Sequence, residues 1–83
     1  MTMDPQAITR LLIETLASKF RITRPITGET MIIEDLALDS LAVMNFVMEI
    51  EDKLDVSVSL DRLADIRTIN DLARCLAEQV AHR

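Results

Sequence analysis

The fold is decided by residues 39–54, which read DSLAVMNFVMEIEDKL. Apolar residues recur in this stretch every three or four positions, which is the spacing of one helical turn. On a helical wheel at about 100° per residue, one group spans about 140° to 240° from Leu41. That group has the form of an ordinary core-facing stripe: Val43, Phe46, Val47, Ile50 and Leu54. The stretch therefore predicts a helix that begins at Asp39 or Ser40 and ends near Leu54.

The same helix has a second apolar stripe, which we call the outer stripe. Leu41, Met44 and Met48 fall near 0°, about 300° and about 340° on the wheel, away from the first group. A helix of a small bundle usually buries only one stripe. The outer stripe is therefore a partner-docking surface, a surface buried beneath another segment, or the border of an internal cleft. Its flanking residues are Asn45, Glu51 and Asp52.

Helix signals lie on both sides of this stretch. Asp4 as N-cap and Pro5 at the first helical position predict a first helix that ends near residue 19 or 20. A short helix is expected over residues 60–65. Thr68 and Asp71 resemble a capping box, with Asp in place of the usual Glu, and predict a last helix that runs to about residue 81.

Between the first two helices the helical periodicity is lost over residues 21–39, which contain Pro25 and Gly28. A loop of this length is unusual in a small domain and is often functional. Its apolar residues predict that it packs on the helices: Ile26, Met31, Ile32, Ile33 and Leu36. The expected fold is all-α: a small four-helix bundle of three long helices and one short helix, with a long first loop, in a single domain over residues 1–83.

The composition agrees with a helical core. Hydrophobic residues make up 49% of the 83 residues but aromatic residues only 2%, which favours aliphatic helix packing over a β-sandwich. Cys75 is the single cysteine, so no intrachain disulfide can form and a reducing compartment is expected. The sequence lacks both an apolar run of about 18 residues and a signal-peptide pattern. We expect a soluble cytoplasmic protein without stable membrane insertion.

The net charge of −5 is concentrated in the middle of the chain. Residues 34–65 contain nine acids and only two bases, Lys53 and Arg62. Such a field repels nucleic acid and attracts proteins with basic surfaces. The alternative is a solvated acidic face that only maintains solubility.

Ser40 stands where the long loop meets the central helix. With Asp39 it forms a pair typical of helix N-caps. A phosphate attached to a serine at this place would meet the positive end of the helix dipole. The only histidine is His82, near the end of the chain, so a Ser-His-Asp triad is not expected. Cys75 lies beside core positions and is expected to be a packed thiol, and no spacing indicates a metal site. The residues therefore predict no catalytic site.

Four segments resemble the acyl carrier protein family. They are ITGET at residues 26–30, EDLALDSL at residues 34–41, VMEIEDKLD at residues 47–55 and IRTINDL at residues 66–72. The resemblance covers nearly the whole chain in order. The short motif around Ser40 is weakly specific alone, but it is specific together with the length, acidity and helix order.

The resemblance implies that Ser40 receives a covalent 4′-phosphopantetheine from coenzyme A through a phosphopantetheinyl transferase. Asp39 and Leu41 would help to position or recognise this site. The outer stripe, with Asn45, Glu51 and Asp52, would dock acyl-transferring or condensing enzymes that have basic surfaces. The bundle would shelter part of the acyl chain, and the protein would act as a monomer in fatty-acid, lipid or polyketide-type synthesis.

Two residues depart from the family pattern. Ala37 stands where many members have Gly, and Asn45 stands where members of fatty-acid synthesis often carry Glu. Both indicate a specialised carrier with a dedicated partner. D-alanyl carriers also lack that glycine and are an alternative. Peptidyl carriers fit less well, and an unmodified carrier-like interaction module is a further alternative.

Overall fold

The computed structural model describes residues 4–81, and every regular element within them is a helix. The elements are α1 (Pro5–Lys19), α2 (Ser40–Leu54), α3 (Leu60–Ala64) and α4 (Ile69–Ala81). This order confirms the expected bundle of three long helices and one short helix with a long first loop. His82, the histidine near the end of the chain, lies outside the described residues.

Local side-chain caps begin the first three helices. The carboxylate of Asp4 accepts a hydrogen bond from Ala7 N at 2.7 Å, ahead of Pro5 at the first helical position. The Ser59 hydroxyl caps α3 more loosely and accepts from Arg62 N at 3.3 Å. Each cap satisfies an amide that has no partner inside its helix. Each of these bonds joins residues three positions apart. The sequence alone therefore predicts where these helices start.

The start of α4 is the reciprocal capping box that the sequence predicts. Thr68 Oγ1 accepts from Asp71 N at 3.1 Å, and Asp71 Oδ2 accepts from Thr68 N at 3.2 Å. Asp71 Oδ2 also accepts from Arg67 N at 3.2 Å. The backbone amides of Thr68 and Arg67 hold the pKa of the Asp71 carboxyl below its usual value, because both bonds favour the charged form.

The core is aliphatic around one aromatic ring. Its largest fully buried side chains come from three helices: Ile8, Leu12, Leu16, Phe46, Ile50, Ile69, Leu72 and Leu76. Burying an aliphatic side chain of this size contributes about 1.5–3 kcal/mol. Every residue predicted for the core-facing stripe of α2 is buried. In α1, Leu11 is only partly buried, whereas Ile8, Leu12 and Leu16 are fully buried.

The loop over residues 20–39 is held against the start of α4 by backbone hydrogen bonds. Asn70 N donates to Gly28 O at 2.8 Å, and Ile32 N donates to Arg67 O at 2.9 Å. Ile32 and Leu36 are buried, as the expected packing of the loop requires. Ile26 and Met31 are partly buried.

Ile33 is an exception to the predicted packing of the loop on the helices. Its side chain is 50% exposed, although its neighbour Ile32 is buried. Residues 32–37 form turns, and within them the buried Ile32 and the exposed Ile33 point to different surroundings. Loop sequences lack the fixed period that would have revealed this difference.

Among the described helices, α1 and α4 are the pair that packs most closely. The central helix α2 packs less closely on its neighbours and contributes its buried apolar side chains to the core. This spacing leaves an opening between α2, α3 and the long loop. The opening is the feature on which the functional site depends.

Candidate functional site

Ser40 is the first residue of α2, and its side chain is exposed. The cap of the helix is Asp39, whose Oδ1 accepts from Ala42 N at 2.8 Å. Among residues 4–81, no group forms a hydrogen bond with the Ser40 hydroxyl. The sequence left open which residue of the Asp-Ser pair acts as the cap. The structure assigns capping to Asp39, which leaves Ser40 Oγ free for chemistry.

The turn that leads to Ser40 is fixed by polar contacts. Asp35 Oδ2 accepts from Met31 N at 2.8 Å, and the Arg24 guanidinium donates to the carbonyl oxygen of Asp35. Ala37 then takes a left-handed conformation with φ of 55°. This conformation is unfavourable for a residue with a Cβ, and it explains why glycine suits the position. Arg24 was not singled out from the sequence, because nothing local marks its long-range bond.

An apolar cleft of about 260 Å³ begins at Ser40. Its inner wall contains the buried side chains of Ile32, Val43, Val47 and Leu72. Four of the lining residues are also exposed and therefore form its rim: Ile33, Ser40, Met44 and Ala64. The Ser40 hydroxyl is the one polar side-chain group in the lining. The cleft can therefore hold a hydrocarbon chain that enters from the serine.

The outer stripe is open, so the alternative of simple burial beneath the loop is wrong. Leu41 is 68% exposed, Met44 is 40% exposed and Met48 is 59% exposed. Asn45 lies beside them and is also exposed. Met44 lines the cleft as well, so the interpretation of the stripe as a cleft border holds for this residue. An exposed apolar row of this kind is typical of a contact surface.

The acids predicted to flank the outer stripe differ in their surroundings. Glu51 is partly buried, and its Oε2 accepts from Val58 N at 2.7 Å. Asp52 is exposed and forms no ion pair among the described residues. Glu49, on the side of the helix, is bridged by Lys19 at 3.6 Å and by Lys53 at 3.8 Å. Asp52 is therefore the flanking acid best placed to meet a basic partner.

Cys75 and the acidic side chains are the other groups that could support chemistry. Cys75 is buried as predicted, and burial raises the pKa of its thiol, with the nearby Arg62 guanidinium acting in the opposite direction. Within residues 4–81, no three His, Cys, Asp or Glu side chains lie close enough together to hold a metal ion. None of the described helices combines the length and the apolar character that crossing a bilayer requires.

Comparison with known proteins gives the family. The family described as "phosphopantetheine attachment site" matches residues 10–76. The chain is 31% identical over 80 residues to an acyl carrier protein of Syntrophobacter fumaroxidans, an alignment that covers 95% of this chain and 99% of that one. The chain belongs to the acyl carrier protein family.

One further relative and one solved structure are also similar to this chain. A Caulobacter vibrioides protein named a probable acyl carrier protein is 49% identical over 51 residues, which span 61% of this chain and 59% of the relative. The crystal structure of an acyl carrier protein from Thermotoga maritima superposes with a TM-score of 0.81. It covers 96% of this chain and 94% of its own, and at 20% identity it supports the fold alone.

The protein is thus an acyl carrier and not an enzyme, and its cofactor is covalent 4′-phosphopantetheine. When bound, this group supplies a thiol that holds acyl groups as thioesters. The residues around Ser40 fit the phosphopantetheine group. Ser40 offers an exposed hydroxyl without a hydrogen-bond partner among the described residues, and at the positive end of α2 it would hold a phosphate favourably. The apolar cleft begins at the same residue. As a carrier, the protein interacts with enzymes of synthesis.

Proposed function

We propose that Ser40 is the attachment site of the phosphopantetheine and that the adjoining cleft shelters the acyl chain. The observation that carries this proposal is the position of an unbonded, exposed Ser40 hydroxyl on the rim of an apolar cleft. Loading forms a bond from Ser40 Oγ to the phosphorus of coenzyme A that bears pantetheine. The pyrophosphate bond breaks, the adenosine bisphosphate leaves, and the transferase accepts the hydroxyl proton.

Asp39 and Leu41 flank the attachment residue and act in different ways. Asp39 fixes the start of α2 through its bond to Ala42 N, so that Ser40 is presented at a constant place. Leu41 projects into solvent beside Ser40 and gives the transferase an apolar contact. Neither residue takes part in bond formation.

The cargo we propose is an acyl group with a hydrocarbon chain. The cleft lining is apolar apart from the Ser40 hydroxyl, so it offers no partners to an ammonium group or to peptide bonds. This property favours fatty-acid, lipid or polyketide-type synthesis over the D-alanyl and peptidyl alternatives. Sheltering each buried methylene contributes about 0.8 kcal/mol.

The docking surface we propose is the outer stripe together with Asn45, Glu51 and Asp52. It fits an enzyme with a basic rim around an apolar patch, and the phosphopantetheinyl transferase is the first such partner. The apolar residues lie near the Ser40 end of α2 and the acids lie near its other end. A partner that matches both ends docks in one direction, with its active site over Ser40. Asn45 is neutral and selects a partner that does not require an acid at that position.

The proposal also includes the domain organisation, the oligomeric state and the compartment that the sequence predicts. One continuous core supports a single carrier domain over residues 1–83. The net charge of −5 disfavours nucleic acid as a partner. We further propose that the carrier works as a monomer in the cytoplasm. Weak, exchangeable docking suits a tethered cargo that visits several enzymes in turn.

The experiment that tests attachment is intact mass after incubation with coenzyme A and a broad-specificity phosphopantetheinyl transferase. The wild type should gain one phosphopantetheine. Ser40→Ala should gain none and should keep its helical circular dichroism, because Asp39 caps the helix. Ser57→Ala removes another exposed serine and should load like the wild type. A wild type that gains nothing, while a known carrier is loaded in parallel, would support the unmodified interaction module instead.

A further inference from the structure

A second cleft, of about 160 Å³, lies beside the apolar cleft, between the long loop and the segment that joins α3 to α4. Three residues line both clefts: Ile33, Ala64 and Ile66. Ile33 and Ala64 are exposed and Ile66 is half-buried, so the boundary between the two clefts is open to solvent. An acyl chain longer than the first cleft can therefore extend across this boundary into the second.

The second cleft differs from the first in its polar side chains. Its lining includes Glu34 and Arg67, both of which are exposed. Among residues 4–81, neither side chain forms an ion pair or a hydrogen bond, with the other or with a third group. The backbone of Arg67 is nevertheless fixed, because its carbonyl oxygen accepts from Ile32 N at 2.9 Å and its amide donates to Asp71 Oδ2 at 3.2 Å. The cleft therefore presents a guanidinium and a carboxylate that are both available to a ligand.

The chemistry of these two groups selects the ligand. A guanidinium only donates hydrogen bonds, and an ionised carboxylate only accepts them. A hydroxyl does both, so one hydroxyl between Arg67 and Glu34 can satisfy each of them. A carboxylate would be attracted by Arg67 but repelled by Glu34, and an ammonium group would meet the reverse. A ketone could accept from Arg67 but would offer no proton to Glu34.

We propose that the second cleft binds a hydroxyl group near the far end of the acyl chain, with Arg67 as the hydrogen-bond donor and Glu34 as the acceptor. The inference rests on the proposed function, because it requires an arm on Ser40 and an acyl chain in the first cleft. It narrows the cargo from any hydrocarbon chain to one that carries a hydroxyl far from the thioester. Arg67 and Glu34 select this cargo and take no part in loading Ser40.

The test compares acyl chains that differ only at their last carbon. A broad-specificity phosphopantetheinyl transferase loads decanoyl, dodecanoyl or tetradecanoyl groups from their coenzyme A esters, each plain, hydroxylated or carboxylated at that carbon. Intact mass verifies each product. Shelter is read from the rate at which hydroxylamine cleaves the thioester, with the free acyl coenzyme A as the unprotected reference. An apolar cleft alone would protect a hydroxylated chain less than a plain one, because burying a hydroxyl without a partner is unfavourable.

We expect the opposite order in the wild type. At the length that reaches the second cleft, the hydroxylated thioester should be cleaved about fivefold more slowly than the plain one, since each hydrogen bond contributes modestly. Arg67→Met and Glu34→Met each remove one partner of the hydroxyl, and both should restore the order of an apolar cleft. Their plain thioesters should be cleaved no faster than those of the wild type. Arg10→Met removes an exposed base of α1, outside both clefts, and should behave like the wild type.

Three results would overturn the inference. One is better protection of the plain chain than of the hydroxylated chain at all three lengths in the wild type. Another is protection of the hydroxylated chain that persists in both Arg67→Met and Glu34→Met. The third is strongest protection of the carboxylated chain, which would mean that Arg67 acts without Glu34.

Failure of the proposed function would look different. In that case no acyl group would be loaded, or the plain thioesters would be cleaved as fast as the free coenzyme A esters. Plain chains that are loaded and sheltered, while hydroxylated chains gain nothing, would contradict the role of the second cleft alone.

Discussion

The backbone conformation of Ala37 helps to determine where Ser40 lies at the start of α2. Ala37 accepts the left-handed backbone that ends the turn, and Asp39 then caps α2. The Ser40 hydroxyl therefore forms no hydrogen bond among the described residues. Strain of this kind persists where surrounding contacts fix the chain, and here Asp35 supplies such contacts through its carboxylate and its carbonyl.

Ala37→Gly should stabilise the protein by about 0.5–1 kcal/mol. Glycine accepts a positive φ without the steric cost of a Cβ, and this gain exceeds the added entropy of the unfolded chain. Urea denaturation of both proteins measures the change. Ala42→Gly, inside α2, is the matched control and should lower stability by about 1 kcal/mol. A loss of stability in Ala37→Gly would show that its φ is not a source of strain.

At the scale of elements, the helices could be predicted because their signals are local. Asp4, Asp39 and the Thr68–Asp71 pair each act within one turn, so the sequence reveals the helix starts. The packing of the loop could be predicted only in part, because the exposure of Ile33 depends on the direction in which the turn at residues 32–37 points its side chain. The cleft could not be located in advance, because it depends on how far α2 stands from α3 and the loop.

The capping box of α4 gives a prediction for pH. The folded pKa of Asp71 is lowered, so its carboxylate stabilises the fold above the unfolded pKa, and that stability is lost as pH falls below about 4. At pH 7, Asp71→Asn should be less stable than the wild type by about 0.3–1 kcal/mol, because the substitution removes a negative charge from the first turn of α4. This difference should shrink as the solution is acidified.

Thermal unfolding between pH 7 and pH 3 measures this prediction. Asp61→Asn removes an exposed acid of α3 and is the control, with little change expected at either pH. A difference between Asp71→Asn and the wild type that is constant over the whole range would contradict a role for the charge of Asp71.

At the scale of the whole molecule, the excess of acids between residues 34 and 65 should govern association with basic enzymes. The sequence predicts this excess but not its distribution. Glu49 is bridged by lysines and Glu51 bonds Val58 N, whereas Asp52 faces solvent without an ion pair among the described residues. The Lys53–Glu49 pair follows the local i,i+4 spacing, whereas the Lys19–Glu49 pair and the bond from Val58 N to Glu51 depend on how the chain folds.

Loading by a basic phosphopantetheinyl transferase should therefore slow as salt rises. Increasing NaCl from about 0.05 M to about 0.5 M shortens the screening length severalfold and should lower kcat/KM accordingly. Asp52→Asn should lower kcat/KM at low salt and weaken its salt dependence. Glu14→Gln removes an exposed acid of α1, away from the docking surface, and should keep the wild-type profile. An equal dependence of kcat/KM on salt in all three proteins would show that Asp52 takes no part in docking.

The central claim is that Ser40 holds the cargo-bearing arm, and peptide mapping by tandem mass spectrometry tests it most directly. The wild type is loaded from octanoyl coenzyme A, digested, and fragmented to locate the modification. We expect a single modified residue, Ser40, that carries phosphopantetheine with an octanoyl thioester. Modification of a different hydroxyl residue, with Ser40 unmodified in fully loaded protein, would contradict the account.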